Sequence, residues 1–133
     1  MFNSNQDKKH FEIYKLPSYI NKNKEDVVSD LNIHNLTPIV LGNGSKVVKQ
    51  YPKMKSELVV GDKVFILTND KILRMPNLTG YTRSEAISLC EMLNIDYEIV
   101  GYGRVINQSI IADSEVKKGM KIIVTLEDKS NIN

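Results

Sequence analysis

The sequence has no tryptophan, one cysteine and two histidines in 133 residues, and its apolar runs are short. Each scarcity excludes something. A lone Cys90 rules out an internal disulfide and any multi-cysteine zinc site, and His10 and His34 add too few ligands, so no metal and no cofactor is expected. The longest apolar runs, Ile39–Leu41 and Val64–Leu67, fall far short of the roughly 18–20 residues that span a bilayer. No membrane contact by this segment itself is expected. The opening Met1–Lys9 is polar, so a secretory leader is not expected there. Charge of one sign is also lacking: 18 Lys and Arg against 16 Asp and Glu leave +2. A nucleic-acid binder of this size carries a larger and clustered basic excess, so nucleic acid is not an expected partner. What is present is an ordinary globular composition, 41% hydrophobic and 26% charged, in a length that suits one domain or two very small ones.

An internal repeat decides between these. A shift of 59 residues lays Pro17 on Pro76, Gly42 on Gly101 and Gly44 on Gly103; a shift of 58 then lays Gln50 on Gln108, Gly61 on Gly119 and Lys63 on Lys121. The expected organisation is a tail over 1–14, unit 1 over 15–69, unit 2 over 70–128 with the repeat itself beginning near 74, and a tail over 129–133. The joint at 69–73 is too short for a free linker. Residues 15–69 carry eight Lys and five acids, whereas residues 70–128 carry seven Lys and Arg and nine acids, so the units are mildly opposite in charge.

Both units read alike locally. Thr82-Arg83-Ser84-Glu85 has the form of a capping box, and Ala86, Leu89, Cys90 and Leu93 recur on one helical face, which predicts a helix over 83–94. In unit 1, Asn23 is the expected N-cap, with Glu25 and Asp26 at the positive helix end and Val27, Val28 and Leu31 facing inward. Each helix is followed by two β-rich runs joined through Gly-x-Gly, 39–41 to 46–50 and 97–100 to 104–108, which read as hairpins. A third strand is expected at 63–68 and at 120–126. The expected fold class is α+β: two tandem small units, each one α-helix packed on a three-stranded antiparallel sheet.

These features resemble the PASTA domain, written twice. The resemblance rests on Leu16-Pro17-Ser18-Tyr19 and Met75-Pro76-Asn77-Leu78-Thr79-Gly80 at the unit starts, the capped helix, Gly-x-Gly-x-Val-x-x-Gln, and the closing Gly-x-Lys-Ile/Val strand. It covers about 15–127. Unit 1 departs from the family pattern at Asn21, where glycine is usual, and at Lys53-Met54-Lys55, where Pro-Gly is usual; unit 2 has Ile110-Ile111 where Ser-Pro is frequent. The resemblance implies an extracytoplasmic module of a membrane-anchored Gram-positive cell-wall protein. Two parents carry such modules: a class B penicillin-binding protein, a septal peptidoglycan transpeptidase ending in PASTA units, and a Ser/Thr kinase with a PASTA ectodomain. Two units reaching a C-terminal stop resemble the former, with Met1 then a fragment boundary.

The chain is not expected to be an enzyme. Ser114-Glu115-Val116-Lys117 satisfies Ser-x-x-Lys, but no Lys-Thr-Gly occurs and the motif falls in an expected loop, so the nucleophile would lack a scaffold and an oxyanion site. The Gly-x-Gly pairs lack the third glycine and following helix of a dinucleotide fingerprint. Cys90 sits on the apolar helix face and is expected to be an inert packing thiol. What remains is polar and aromatic surface. Arginine holds a carboxylate in a bidentate grip and tyrosine stacks on a sugar or lactam face. The candidate ligand contacts are therefore Arg74, Tyr102 and Arg104, with Gln108 as a polar neighbour, for peptidoglycan fragments or a β-lactam bound weakly. The competing reading makes Tyr102 a turn residue and the arginines solvated or bridging. Three functions stay open here: a wall module of a penicillin-binding protein, a kinase sensor ectodomain, and a spacer that docks on the parent's catalytic domain or a division partner and binds no wall fragment.

Overall fold

A computed structural model describes residues 12–128 of the chain; the expected tail at 129–133 and most of that at 1–14 lie outside them. The chain divides into two compact units, one running to Asp70 and the other from Lys71. Unit 1 contains β1 (Tyr14–Lys15), α1 (Lys24–Ile33), β2 (Thr37–Leu41), β3 (Val47–Tyr51), β4 (Glu57–Leu58) and β5 (Lys63–Thr68). Unit 2 contains α2 (Arg83–Leu93), β6 (Asp96–Val100), β7 (Arg104–Gln108) and β8 (Lys121–Glu127). Each unit is one helix with a three-stranded sheet, and unit 1 adds a two-stranded ribbon, β1 with β4.

Both helices start as their sequences dictate. The Thr82 hydroxyl accepts the Glu85 amide at 3.2 Å while the Glu85 carboxylate accepts the Thr82 amide at 2.9 Å, closing the capping box. The Asn23 side chain accepts the Glu25 amide at 2.9 Å. Helix α2 stops one residue earlier than its pattern suggests, because Asn94 takes a left-handed C-cap at φ 60°.

The strand order corrects the hairpin expectation. The strands flanking each Gly-x-Gly do not pair with one another. The closing strand lies between them, in the orders β2-β5-β3 and β6-β8-β7. β2 pairs with β5 in parallel and β3 in antiparallel, with the same arrangement in unit 2, so each sheet is mixed rather than antiparallel throughout. The Gly-x-Gly segment must then cross the end of the central strand, a gap of two strand spacings or about 10 Å. Positive φ at Gly42, Gly101 and Gly103, joined by close approach of main chain at Gly101 and Gly103, is what demands glycine there. A Cβ on Gly103 would lie 2.4 Å from the Glu127 carbonyl oxygen, and one on Gly101 would lie 2.4 Å from that of Leu126.

The repeat extends to backbone detail. Left-handed residues recur in register: Asn21 with Gly80, Asn35 with Asn94, Gly42 with Gly101, Lys55 with Asp113 and Gly61 with Gly119. Asn21 thus fills the glycine position of the family pattern in the conformation glycine would adopt, which asparagine tolerates better than most residues. Unit 1 closes on Leu16, Tyr19, Val27, Leu31, Leu36, Val47, Leu58, Val64 and Ile66. Cys90 occupies in unit 2 the place of Leu31 in unit 1, and both are fully buried. Full burial of a side chain of leucine size contributes about 1.5–3 kcal/mol, and this sums to a core in each unit.

Candidate ligand-binding surface

The end of β8 where Gly101-Tyr102-Gly103 crosses over builds the main surface feature of unit 2. Glycines on both sides leave Tyr102 without a neighbouring side chain to pack on, and it is 73% exposed. Arg104 opens β7 opposite Glu127, and its guanidinium Nη1 donates to the Gly80 carbonyl at 3.0 Å. The Gly80 amide in turn donates to the Val105 carbonyl at 2.9 Å, which ties the unit's first turn to β7. Between these segments lies a concavity of about 460 Å³, lined by Thr79, Gly80, Thr82, Gly103, Arg104, Val105, Glu127 and Asp128. One guanidinium, two hydroxyl-bearing threonines and two carboxylates belong to residues that line an open recess whose surface is otherwise largely apolar. Such a set suits a ligand with both charged and hydroxyl or amide groups.

The four candidate residues divide. Tyr102 and Arg104 belong to this end of the sheet. Gln108 does not contact the recess; it is committed to the fold. Its Oε1 accepts the Leu78 amide at 2.8 Å, and its Nε2 donates to the Pro76 and Ile110 carbonyls at 3.1 and 2.9 Å. Both amide hydrogens are therefore used. Arg74 lies near the opposite end of the sheet, its backbone paired antiparallel with that of Glu115 in the loop between β7 and β8, with Nη1 donating to the Asp113 carbonyl at 3.1 Å. The structure does not bring Arg74 to Tyr102 and Arg104.

Sequence reasoning missed Thr79, Thr82, Glu127 and Asp128. Thr82 was legible only as a cap, and Glu127 ends the closing strand with Asp128 just after it, where no motif marks them. The remaining motifs fall where packing, not chemistry, explains them. Ser114 lies in the β7–β8 loop, its amide donating to the Ile111 carbonyl at 3.1 Å. The Cys90 thiol is pushed up to about 11, first by burial and then by the nearby Glu91 carboxylate, so it is protonated and unreactive at neutral pH. Among the described residues no group of three or more His, Cys, Asp or Glu is placed to hold a metal ion.

The repeated α+β unit, with its Gly-x-Gly crossing and glutamine-tied first turn, defines a small tandem module of one helix and a three-stranded mixed sheet per copy. The PASTA domain family model matches residues 14–70 and again 73–128, and the chain belongs to that family with two copies. PASTA domains are non-catalytic modules found in penicillin-binding proteins and in Ser/Thr kinases. Among solved structures the chain resembles penicillin-binding protein 2X from Streptococcus thermophilus, with 27% identity and a TM-score of 0.78 over 88% of this chain and 17% of that one. It spans about a sixth of that protein's length. It is also similar to the three-PASTA-domain region of a Ser/Thr kinase from Staphylococcus aureus, at 21% identity and a TM-score of 0.34 over 84% of this chain and 66% of that one. A third likeness is to the entire extracellular region of the Ser/Thr kinase PrkC from the same organism, at 20% identity and a TM-score of 0.34 over 84% of this chain and 46% of that one. No helix among the described residues is long and apolar enough to cross a membrane.

Proposed function

We propose that this chain is the non-catalytic, extracytoplasmic wall module of a membrane-anchored penicillin-binding transpeptidase, which helps to recognise or position that enzyme at peptidoglycan during septal wall synthesis. The observation that carries the reading is the match over 88% of the chain to penicillin-binding protein 2X, with 27% identity and a TM-score of 0.78. Ligand contact falls on Tyr102 and Arg104 beside the recess of about 460 Å³. There the guanidinium pairs with a carboxylate and the exposed phenol ring stacks on a sugar or lactam face. The recess is open and the binding weak, because two thin units build no deep apolar pocket.

A second reading has its own support. Arg104 already donates to Gly80 and Gln108 is spent on the backbone, which favours a spacer that docks on the parent's catalytic domain or a division partner without binding wall fragments. Titration of the isotope-labelled chain with a defined muropeptide and with a β-lactam separates the two. Saturable shifts centred on Tyr102 and Arg104 and lost in Arg104→Ala support the ligand module; unchanged spectra at millimolar ligand leave the spacer.

A further inference from the structure

Unit 1 contains a polar cluster at a place where unit 2 is apolar. The Tyr19 and Tyr14 hydroxyls both donate to Asp30 Oδ2, at 2.6 and 3.1 Å. The Tyr14 and His34 rings stack with centroids 3.7 Å apart and planes 20° from parallel. His34 Nδ1 lies 2.9 Å from the Asp30 carbonyl oxygen and 3.7 Å from Asp30 Oδ1. At the repeat's shift of 59, the residues equivalent to Tyr14, Tyr19, Asp30 and His34 are Leu73, Leu78, Leu89 and Leu93. Four leucines thus serve in one unit where two phenols, a carboxylate and an imidazole serve in the other. The fold does not require ionisable groups at these positions, so the set adds polar fastening to the packing that Tyr19 already provides.

What the set holds is the segment around β1. That strand is two residues long, pairs Tyr14 with Leu58 and Lys15 with Glu57, and has Tyr14 packed against the core without being part of it. Polar fastening of this kind is open to competition from water in a way that leucine packing is not. A groove of about 260 Å³ beside it is lined by Glu12, Ile13, Ile33, His34, Val59 and Val60 among others.

We infer that the Tyr14–Tyr19–Asp30–His34 cluster is a pH-sensitive latch that fastens the β1 strap to α1, and that protonation of His34 tightens it. In the neutral ring Nδ1 carries the hydrogen that points at the Asp30 carbonyl, so the second proton goes to Nε2. The imidazolium then faces the Asp30 carboxylate, stacks over the Tyr14 ring as a cation on a π face, and caps the negative end of α1. Other charged groups on the packed segments are Glu12, which lines the same groove, Lys15 and Glu57 across the β1–β4 ribbon, and Asp62, whose carboxylate accepts the Val59 amide.

Hydrogen exchange of the full chain at pH 7.5 and pH 5.5, corrected for intrinsic rates, tests the latch. Amides of residues 14–16 and 56–58 should be protected about threefold to fivefold more at the lower pH, the effect of a half-exposed charge pair at a helix end. His34→Leu and His34→Gln should each remove that pH dependence, and Asp30→Asn should speed strap exchange at both pH values. Amides of Ile66 and Val124 in the central strands report that both units remain folded. Equal protection at the two pH values in the unmodified chain, or a pH dependence that survives in both His34 variants, overturns the inference.

Discussion

Gln50 and Gln108 make the same three hydrogen bonds in the two units. Gln50 Oε1 accepts the Tyr19 amide at 2.6 Å and its Nε2 donates to the Pro17 and Pro52 carbonyls at 3.0 and 3.2 Å. Gln108 does likewise with Leu78, Pro76 and Ile110. A proline-led turn offers few backbone partners, since Pro has no N–H and its neighbours run extended. One side-chain amide, held at the end of an edge strand, satisfies an N–H and two carbonyls that would otherwise be left without protein partners.

It follows that Gln108 serves stability rather than ligand contact. Gln108→Leu leaves the partly buried Leu78 amide without its acceptor, which costs about 1–3 kcal/mol. Gln108→Glu keeps the acceptor and loses both donors, and should fall between Leu and the native residue. Urea unfolding monitored at residues of unit 2 gives the ranking. A Gln108→Leu chain as stable as the native one would show that the three bonds contribute nothing net.

The glycines separate two physical demands. Gly103 combines φ +105° with a Cβ position 2.4 Å from the Glu127 carbonyl oxygen and 2.7 Å from Asp128 Cα, whereas Gly119 has φ +85° and open space around it. Gly119→Ala should therefore cost only the backbone penalty of about 1–2 kcal/mol. Gly103→Ala adds a clash with main chain that cannot move aside, and should cost clearly more, with displacement of the end of β8. Thermal or urea denaturation of the two variants measures the difference. Equal costs would mean that the crossing loop relaxes freely.

These glycines also explain what could and could not be read from the sequence. Local signals were legible because they are local: the Thr82–Glu85 capping box, the Asn23 cap and the inward helical stripe each need only one turn of chain. The left-handed position of Asn21 was visible as a departure from glycine. Strand neighbours were not legible, because Gly-x-Gly looks the same in a two-residue hairpin and in a loop that steps over a third strand. The clue lay elsewhere, in the unbroken Val64-Phe65-Ile66-Leu67 run. In the structure these residues and Thr68 are all buried, so both faces of β5 are covered, whereas the equivalent central strand β8 alternates and offers no such clue. The candidate site was half legible: Tyr102 and Arg104 stood out by type and position, but Thr79 and Asp128 reach the recess only through the tertiary fold.

The phenols of unit 1 give alkaline pH a defined effect. Tyr19 is shifted upward first by burial, then by its hydrogen bond to the Asp30 carboxylate; Tyr14 is shifted the same way, again chiefly by burial. A group whose pKa is higher in the folded than in the unfolded chain stabilises the fold below the unfolded value, here about 10, and that contribution is lost as pH rises through the folded value. The native chain should thus lose stability progressively above about pH 10, with part of its 295-nm tyrosinate absorbance appearing only on unfolding. Tyr19→Phe should lower stability at pH 8, because it removes a bond to a carboxylate, yet flatten the loss at high pH, since the buried phenol no longer has to ionise. Denaturant midpoints of both chains between pH 8 and pH 11 test this. Parallel curves would place the destabilisation in some other group, whereas converging curves assign it to the hydroxyl that Asp30 holds.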